Sequence, residues 1–193
     1  MSDTYHGWVR LESLPEPAVW ELSRVATGLM RDHFKKLVRG PWIIQLYGTT
    51  QNDRTYWRKT FSQLRDAMGA SGAAPRSISV SLRPTLGRSR VYALSWLSYW
   101  GQYPSAELWV FGHDRITVED TLRSLVDEIR SHAELKTVLG DATFIVSDIK
   151  ISSTDSKGGG EVHTGLWRWL TGVASAVVAG VVVAVILALL RIN

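Results

Sequence analysis

The chain has 193 residues and contains no cysteine. This absence excludes disulfide bonds, thiolate metal sites and cysteine nucleophiles, and it is typical of proteins that fold in a reducing compartment. The first residues, MSDTYHGWVRLESLPEPAV, also lack the basic stretch and apolar run of a signal peptide. Together these absences predict that the N-terminal domain stays in the cytoplasm.

The sequence also lacks the motifs of common catalytic and cofactor sites. It contains neither a Walker lysine motif nor a nucleophile elbow. Glu119 and Asp120 are adjacent, but they stand at a predicted helix start, where the helix dipole favours carboxylates. The histidines, which show no zinc-type spacing, are His6, His33, His113, His132 and His163. These observations predict a protein without enzymatic activity, bound metal or cofactor.

The charge of the chain is unevenly distributed, although the net charge is only +4. Residues 24–90 contain 13 Lys or Arg and 3 Asp, whereas residues 91–165 contain 6 Lys or Arg and 11 Asp or Glu. Residues 1–23 contain 1 Arg and 4 Asp or Glu. Such asymmetry favours an anionic partner for the basic section, unless folding brings acidic helices beside it and cancels the field. The sequence is compatible with both interpretations.

Hydrophobic periodicity and turn residues predict an α+β domain over residues 1–151, with helices packed on a mainly antiparallel sheet. The predicted order of elements is α-β-α-β-β-β-α-β. Helical spacing predicts helices within residues 14–40, 52–70 and 116–135. Alternating or short apolar runs predict strands within residues 41–48, 77–83, 89–100, 106–112 and 142–152.

The predicted strand within residues 89–100 carries a stripe of large side chains. Its members are two or four positions apart, so they are expected to share one face of the strand; they are Tyr92, Leu94, Trp96 and Trp100. Aromatic stripes on strands usually pack into the core of a sheet protein. If this face were exposed instead, it would be a patch for a protein partner.

Two segments place cationic side chains where an anion can bind. In YGTTQNDRTYWRK, residues 47–59, a strand leads into a predicted helix whose first N–H groups attract phosphate. In RPTLGRSR, residues 83–90, arginines stand on a predicted hairpin tip and can fork onto phosphate or carboxylate. An ordinary capped turn and solvated turn charges are the alternatives. The candidate ligand is a nucleotide or another anion, and the candidate residues are Arg54, Arg58, Lys59, Arg83, Arg88 and Arg90.

The last part of the sequence predicts a linker and a membrane span. Residues 152–165 are rich in Ser, Gly and charge, as flexible linkers are. Residues 166–193 predict a single C-terminal transmembrane helix, because residues 170–190 carry no formal charge and would form a helix of about 32 Å. Trp167, Arg168 and Trp169 are expected at the membrane interface. The architecture resembles tail-anchored proteins, which implies a single-pass protein of the cell membrane with a cytoplasmic N-terminal domain.

The predicted span also carries a stripe of small residues four positions apart. Small side chains let the backbones of membrane helices approach closely, so the stripe predicts homo-oligomers. A sensor domain joined to such a span resembles compact bacterial antiviral defence effectors in outline, which implies ligand-triggered membrane disruption or channel formation. The alternative is a passive membrane-tethered adaptor or scaffold that binds a protein or an anionic ligand. The stripe consists of Gly172, Ala176, Gly180, Ala184 and Ala188.

Overall fold

The computed structural model describes residues 4–85, 89–139 and 142–152. In these residues the chain forms one eight-stranded sheet with helices on one face, and every strand pair is antiparallel. This confirms the predicted α+β class with a mainly antiparallel sheet. The strands are β1 (Thr4–Glu12), β2 (Trp42–Thr50), β3 (Thr55–Arg58), β4 (Pro75–Pro84), β5 (Val91–Tyr99), β6 (Ser105–Gly112), β7 (Thr143–Val146) and β8 (Lys150–Ser152). The helices are α1 (Ala18–Leu37), α2 (Phe61–Gly69), α3 (Arg115–Ser131) and α4 (Ala133–Leu139).

The N-terminal strand β1 lies inside the sheet, between strands from the second half of the chain. The strand order is β3-β2-β4-β5-β6-β1-β7, and β8 also pairs with β1. Trp8 lies opposite Trp109 of β6, and Val9 lies opposite Val146 of β7. The predicted order of elements is wrong here, because it contains no strand before the first helix. Large side chains on both faces of β1 hide the alternation that predicts a half-buried strand.

The segment that follows β2 also differs from its prediction. Residues 55–58 form β3, which pairs with β2 as a hairpin and is not the start of a helix. The turn is closed by Asp53, whose φ of 59° is a left-handed conformation that Asp tolerates better than most residues. The helix α2 begins later, at Phe61, where the Thr60 hydroxyl accepts a hydrogen bond from the Gln63 backbone N–H. A turn and a short strand therefore occupy residues 52–60, where the sequence predicted the first part of a helix.

The C-terminal part of the described chain contains two helices and two strands where the sequence predicted one of each. Residues 142–152 form two short strands, β7 and β8, and both pair with β1. At the break between them, the Ser147 hydroxyl accepts a hydrogen bond from the Trp8 backbone N–H. A further helix, α4, follows α3 and has no counterpart in the predicted order.

The core lies between the sheet and the helices α1, α2 and α3. Trp96 is fully buried there, and its Nε1–H donates to the Ser23 hydroxyl of α1 at 3.1 Å. Ser23 donates to the Val19 carbonyl at 2.6 Å, so the Ser98 hydroxyl, 2.8 Å away, donates to Ser23. These bonds satisfy the polar atoms that β5 and α1 bring into an apolar interior.

The stripe predicted on β5 is partly confirmed. Leu94 and Trp96 are fully buried on the helix side, and Trp100 is buried just beyond the strand. Tyr92 differs, because the register shifts between Val91 and Ala93. This bulge turns Tyr92 away from the helices, and its ring lies 6.2 Å from that of Phe111. The shared face of Leu94, Trp96 and Trp100 is therefore core, not a patch for a protein partner.

Candidate ligand-binding site

The face of the sheet that carries no helix, here called the open face, bears a cluster of aromatic side chains. The Trp109 and Phe111 rings of β6 are nearly parallel, with centroids 5.9 Å apart. Trp109 also lies 6.0 Å from Trp8 and 6.2 Å from His6 on the neighbouring strand β1. The aromatic cluster consists of His6, Trp8, Tyr92, Trp109 and Phe111. Alternation places these residues opposite the core because His6 and Trp8 flank Gly7, which faces α3.

An ion pair between Arg10, which is exposed, and Glu107, which is buried, holds one side of the aromatic cluster in place. The Arg10 guanidinium donates to Glu107 Oε1 from Nε at 2.8 Å and from its terminal nitrogen at 2.5 Å. Trp109 Nε1–H donates to the other oxygen, Oε2, at 3.1 Å. These hydrogen bonds, chiefly, hold the pKa of Arg10 above its usual value. Because both Glu107 oxygens already accept hydrogen bonds, this pair orients Trp109 rather than offering a carboxylate to a ligand.

Short side chains separate the aromatic cluster from Tyr47 on β2. On the open face, Ser81 of β4 lies opposite Ser95 of β5, and Ser79 lies two residues before Ser81 on the same strand. We call these three residues the serine channel. The backbones of β2 and β6, on either side of it, are three strand spacings or about 14 Å apart. Ser81 and Ser95 therefore lie in a row between Gln45 of β2 and Trp109 of β6, and Ser79 lies in the next row, between Tyr47 and Leu97.

Arg83 stands at one end of the serine channel. It follows Ser81 by two residues on β4, and its Nε–H donates to the Ser81 hydroxyl at 3.1 Å. Among the described residues, no carboxylate forms an ion pair with this guanidinium. Arg83 therefore presents donors to an anion from a position that its own hydrogen bond fixes.

The positive charge of Arg83 affects the pKa of two tyrosines, Tyr47 and Tyr92. Burial raises the pKa of Tyr47 above its ordinary value, and the positive charge of Arg83 acts in the opposite direction. Burial likewise raises the pKa of Tyr92, against a hydrogen bond with Thr4 and the charge of Arg83. Both phenols are thus neutral near neutral pH, so neither adds a negative charge that would repel an anion.

The structure separates the six predicted anion-binding residues. Arg54 lies in the β2–β3 turn, and the helix α2 begins only at Phe61, so the strand-to-helix junction predicted at Arg54 is replaced by a strand-to-strand turn. Arg58 lies opposite Leu46, which is buried on the helix side, whereas Arg83 is on the open face. The Arg58 guanidinium donates to the Trp57 carbonyl at 2.7 Å and lies over the Tyr56 ring. Lys59 and Arg58 line a shallow surface depression beside α2.

The hairpin between β4 and β5 keeps two of the predicted arginines near each other. Arg83 and Arg90 lie at the ends of these adjacent strands, and the Arg90 carbonyl accepts a hydrogen bond from the His113 backbone N–H. Arg88 lies outside the described residues. Of the two predicted anion sites, the hairpin one is therefore the one whose arginines the fold brings to the same end of the sheet.

A second cleft lies between α3 and the β7–β8 connection. Its volume is about 580 Å³. Its charges are mixed, since Arg115, Arg123 and Arg130 alternate with carboxylates, and Arg123 forms an ion pair with Glu119. Arg130 lies over the Phe144 ring, with its guanidinium carbon 4.5 Å from the ring centroid. This internal pairing and stacking leave the cleft without a clear preference for ligand charge.

The described residues contain neither a metal-ligand cluster nor a membrane-spanning helix. No group of three or more His, Asp or Glu side chains in the described ranges could hold a metal ion. Within those same ranges, no helix has both the length and the apolar character needed to cross a membrane. The predicted span, its interface residues Trp167, Arg168 and Trp169, and the small-residue stripe lie outside the described residues.

Comparison of the chain with protein-family models, with curated proteins and with solved structures finds no match. The function is therefore inferred from the surfaces of this domain and from its sequence.

Sequence reasoning missed the aromatic cluster and the serine channel. A signal was present for part of them, because Ser77, Ser79 and Ser81 alternate with apolar residues on the predicted strand. Trp109 and Phe111 likewise alternate with Leu108 and Val110. What the sequence did not show is that β1 lies beside β6, which brings His6 and Trp8 into the cluster.

Proposed function

We propose that the protein is a membrane-anchored recognition protein that binds a nucleotide-like anion on the open face of its sheet. Arg83, fixed at the end of the serine channel, is the observation that carries this proposal. An arginine without a carboxylate partner in the described chain favours a phosphate, because guanidinium groups match phosphate geometry. The flanking rings of Tyr47 and Trp109 favour a planar ring system beside that phosphate.

The proposal predicts that Arg83→Ala weakens nucleotide binding by about 10- to 100-fold, since hydrogen bonds to charged groups contribute roughly 1.5–3 kcal/mol. Arg83→Lys keeps the charge but loses the paired donors, so it should bind with intermediate affinity. Calorimetric titration of the full chain in mild detergent with a nucleotide panel measures both effects. Binding should also weaken as salt is raised.

Arg54→Ala is the matched control, because it removes one exposed arginine at the opposite end of the sheet. It should leave the affinity unchanged. Equal losses in the two variants would show that binding follows net charge and not this site. If no nucleotide produces heat with the wild-type protein, the ligand part of the proposal fails.

For the tail, the proposal is that residues 166–193 anchor the protein and associate through the small-residue stripe. Support comes from the uncharged run and the five-member repeat in the sequence. In the effector form of the proposal, ligand binding clusters the domains and the assembled tails make the membrane leaky. In the alternative form, the protein is a passive adaptor that holds its ligand or protein partner at the membrane.

Gly180→Leu is expected to abolish most self-association, because a bulky side chain prevents close backbone approach and lipid offers no hydrophobic compensation. Val182→Leu adds bulk elsewhere on the predicted helix and serves as the control. Crosslinking in liposomes measures association, and dye release measures leakage. The effector form predicts ligand-dependent leakage that Gly180→Leu removes, whereas the adaptor form predicts none. If Gly180→Leu crosslinks like the wild type, the stripe does not mediate association.

A further inference from the structure

One end of the sheet gathers exposed cations. Strand pairing fixes this end, because Trp42 lies opposite Pro84 and Val91 lies opposite Gly112. Gly112 in turn lies opposite Tyr5, whose neighbour Thr4 lies opposite Ser152. The starts of β1, β2 and β5 and the ends of β4, β6 and β8 therefore meet here, as do the end of α1 and the start of α3. We call this region the basic end.

The cations of the basic end are available to a partner. All are exposed, and within the described chain none forms an ion pair. The nearby carboxylate of Asp114 caps α3, where it accepts a hydrogen bond from the Thr117 backbone N–H at 3.1 Å. Asp148 is exposed two residues before Lys150. The cations are Lys36, Arg39, Arg90, Arg115 and Lys150.

The opposite end of the sheet has a different character, because its cations are mostly paired. Arg24 binds both Glu21 and Glu134, and Arg76 binds Asp53. Unpaired exposed cations also occur outside the basic end, but they do not stand beside exposed aliphatic side chains as the cations of the basic end do; they are Arg54, Lys59 and Arg65.

Two large aliphatic side chains stand among these cations. Ile116, in the first turn of α3, is 69% exposed, and Ile151 of β8 is 59% exposed. Exposed aliphatic residues surrounded by Lys and Arg are the composition of surfaces that rest in the headgroup region of anionic membranes. A soluble anion such as a nucleotide would not require the isoleucines.

Ser152, the last residue of β8, lies at the basic end, and the uncharged run begins 18 residues later at Leu170. We infer that the basic end is a membrane-contact surface that binds anionic lipid headgroups. This inference rests on the proposed anchoring by residues 166–193. The headgroup contact would fix the orientation of the domain, with its opposite end directed away from the bilayer.

The absence of cysteine allows a direct test on the full chain. Ile116→Cys introduces a single thiol for a nitroxide label at the basic end, and Tyr103→Cys introduces one at the opposite end, where Tyr103 is 81% exposed. Each labelled protein is reconstituted into phosphatidylcholine liposomes with and without phosphatidylserine. Electron paramagnetic resonance then compares accessibility of the label to oxygen and to a water-soluble nickel complex. With phosphatidylserine, the label at position 116 should lose nickel accessibility, and the label at position 103 should not.

Reversing cations at the basic end tests whether this surface, and not the net positive charge of the protein, holds the domain at the membrane. Each cation near an anionic membrane contributes about fivefold to partitioning. The triple variant Lys36→Glu, Arg39→Glu, Arg90→Glu should therefore weaken the contact by at least roughly 100-fold and restore nickel accessibility at position 116. The matched control reverses Arg54, Lys59 and Arg65, which are equally exposed but lie away from the basic end. It changes net charge by the same amount and should leave the label protected.

Alkaline carbonate extraction of the same proteoliposomes distinguishes failure of the proposed anchoring from failure of the membrane-contact surface. If carbonate releases the protein, the proposed anchoring is wrong and this inference fails with it. If the protein stays integral while the label at position 116 remains equally accessible to nickel in both lipid mixtures, the anchoring stands and the membrane-contact surface is wrong. Equal protection of positions 103 and 116, or equal effects of the two triple variants, would also overturn it.

Discussion

Replacing Trp96 by alanine is expected to lower the free energy of unfolding by about 3–5 kcal/mol, the range measured when a buried aromatic residue is truncated. The indole is fully buried between β5 and α1, so its removal leaves a cavity as well as a lost apolar contact. The Ser23 hydroxyl also loses the hydrogen bond that Trp96 donates. Since domains are stable by only about 5–15 kcal/mol, this loss approaches the whole stability of a marginal one.

Urea unfolding of the full chain in mild detergent, followed by tryptophan fluorescence, measures this effect. Trp57→Ala is the control, because Trp57 is 49% exposed on the edge strand β3. It should change the free energy of unfolding by less than about 1 kcal/mol. Equal midpoints for Trp96→Ala and the wild type would mean that β5 and α1 do not pack as described.

Gly112→Ala is expected to destabilise the domain by about 1–3 kcal/mol or more, the cost of overpacking. A Cβ at Gly112 would lie 2.4 Å from the Arg90 carbonyl oxygen and 2.6 Å from Val118 Cγ2. A side chain such as that of Val118 can move, but the Arg90 carbonyl is backbone at the start of β5. The β5–β6 pairing or the position of α3 must therefore shift.

Gly28→Ala makes the same chemical change where the structure has room. A Cβ at Gly28, inside α1, would meet nothing within 4 Å among the described residues. Alanine is favoured over glycine in helix interiors by up to about 1 kcal/mol, so this variant should be more stable than the wild type. Thermal and urea unfolding of the two variants should thus move in opposite directions. If both destabilise the protein equally, backbone crowding at Gly112 is not the cause.

Part of the fold could be predicted because the apolar residues of several elements lie on one face. The helix α1 and the strands β4, β5 and β6 have this property, and each was predicted close to its observed position. The hairpin at β3 was predicted as a helix start because the residues before it favour both a helix cap and a tight turn. Asn52 and Asp53 are good helix caps, and Asp also tolerates the left-handed conformation of a tight turn.

The candidate site could not be predicted as a unit, because strand register creates it. Arg83 was identified from its position in a hairpin, but the Ser95 and Trp109 side chains join it only through pairing across β4, β5 and β6. Helix-based reasoning grouped Arg54 with Arg58 and Lys59 as neighbours in sequence. The fold places Arg54 in a turn, whereas Arg58 and Lys59 line a surface depression beside α2. No local sequence pattern shows this division.

The position of β1 has a consequence for how the chain folds. Strand β1 pairs with β6, where Tyr5 lies opposite Gly112, and with β8, where His6 lies opposite Lys150. More than a hundred residues must exist before these pairs can form, and closing such long loops is entropically costly. Sheets dominated by distant pairs fold slowly, over roughly milliseconds to seconds. During synthesis, β1 therefore has neither of its strand neighbours until β6 has emerged, and its backbone N–H and C=O groups stay unpaired with other strands until then.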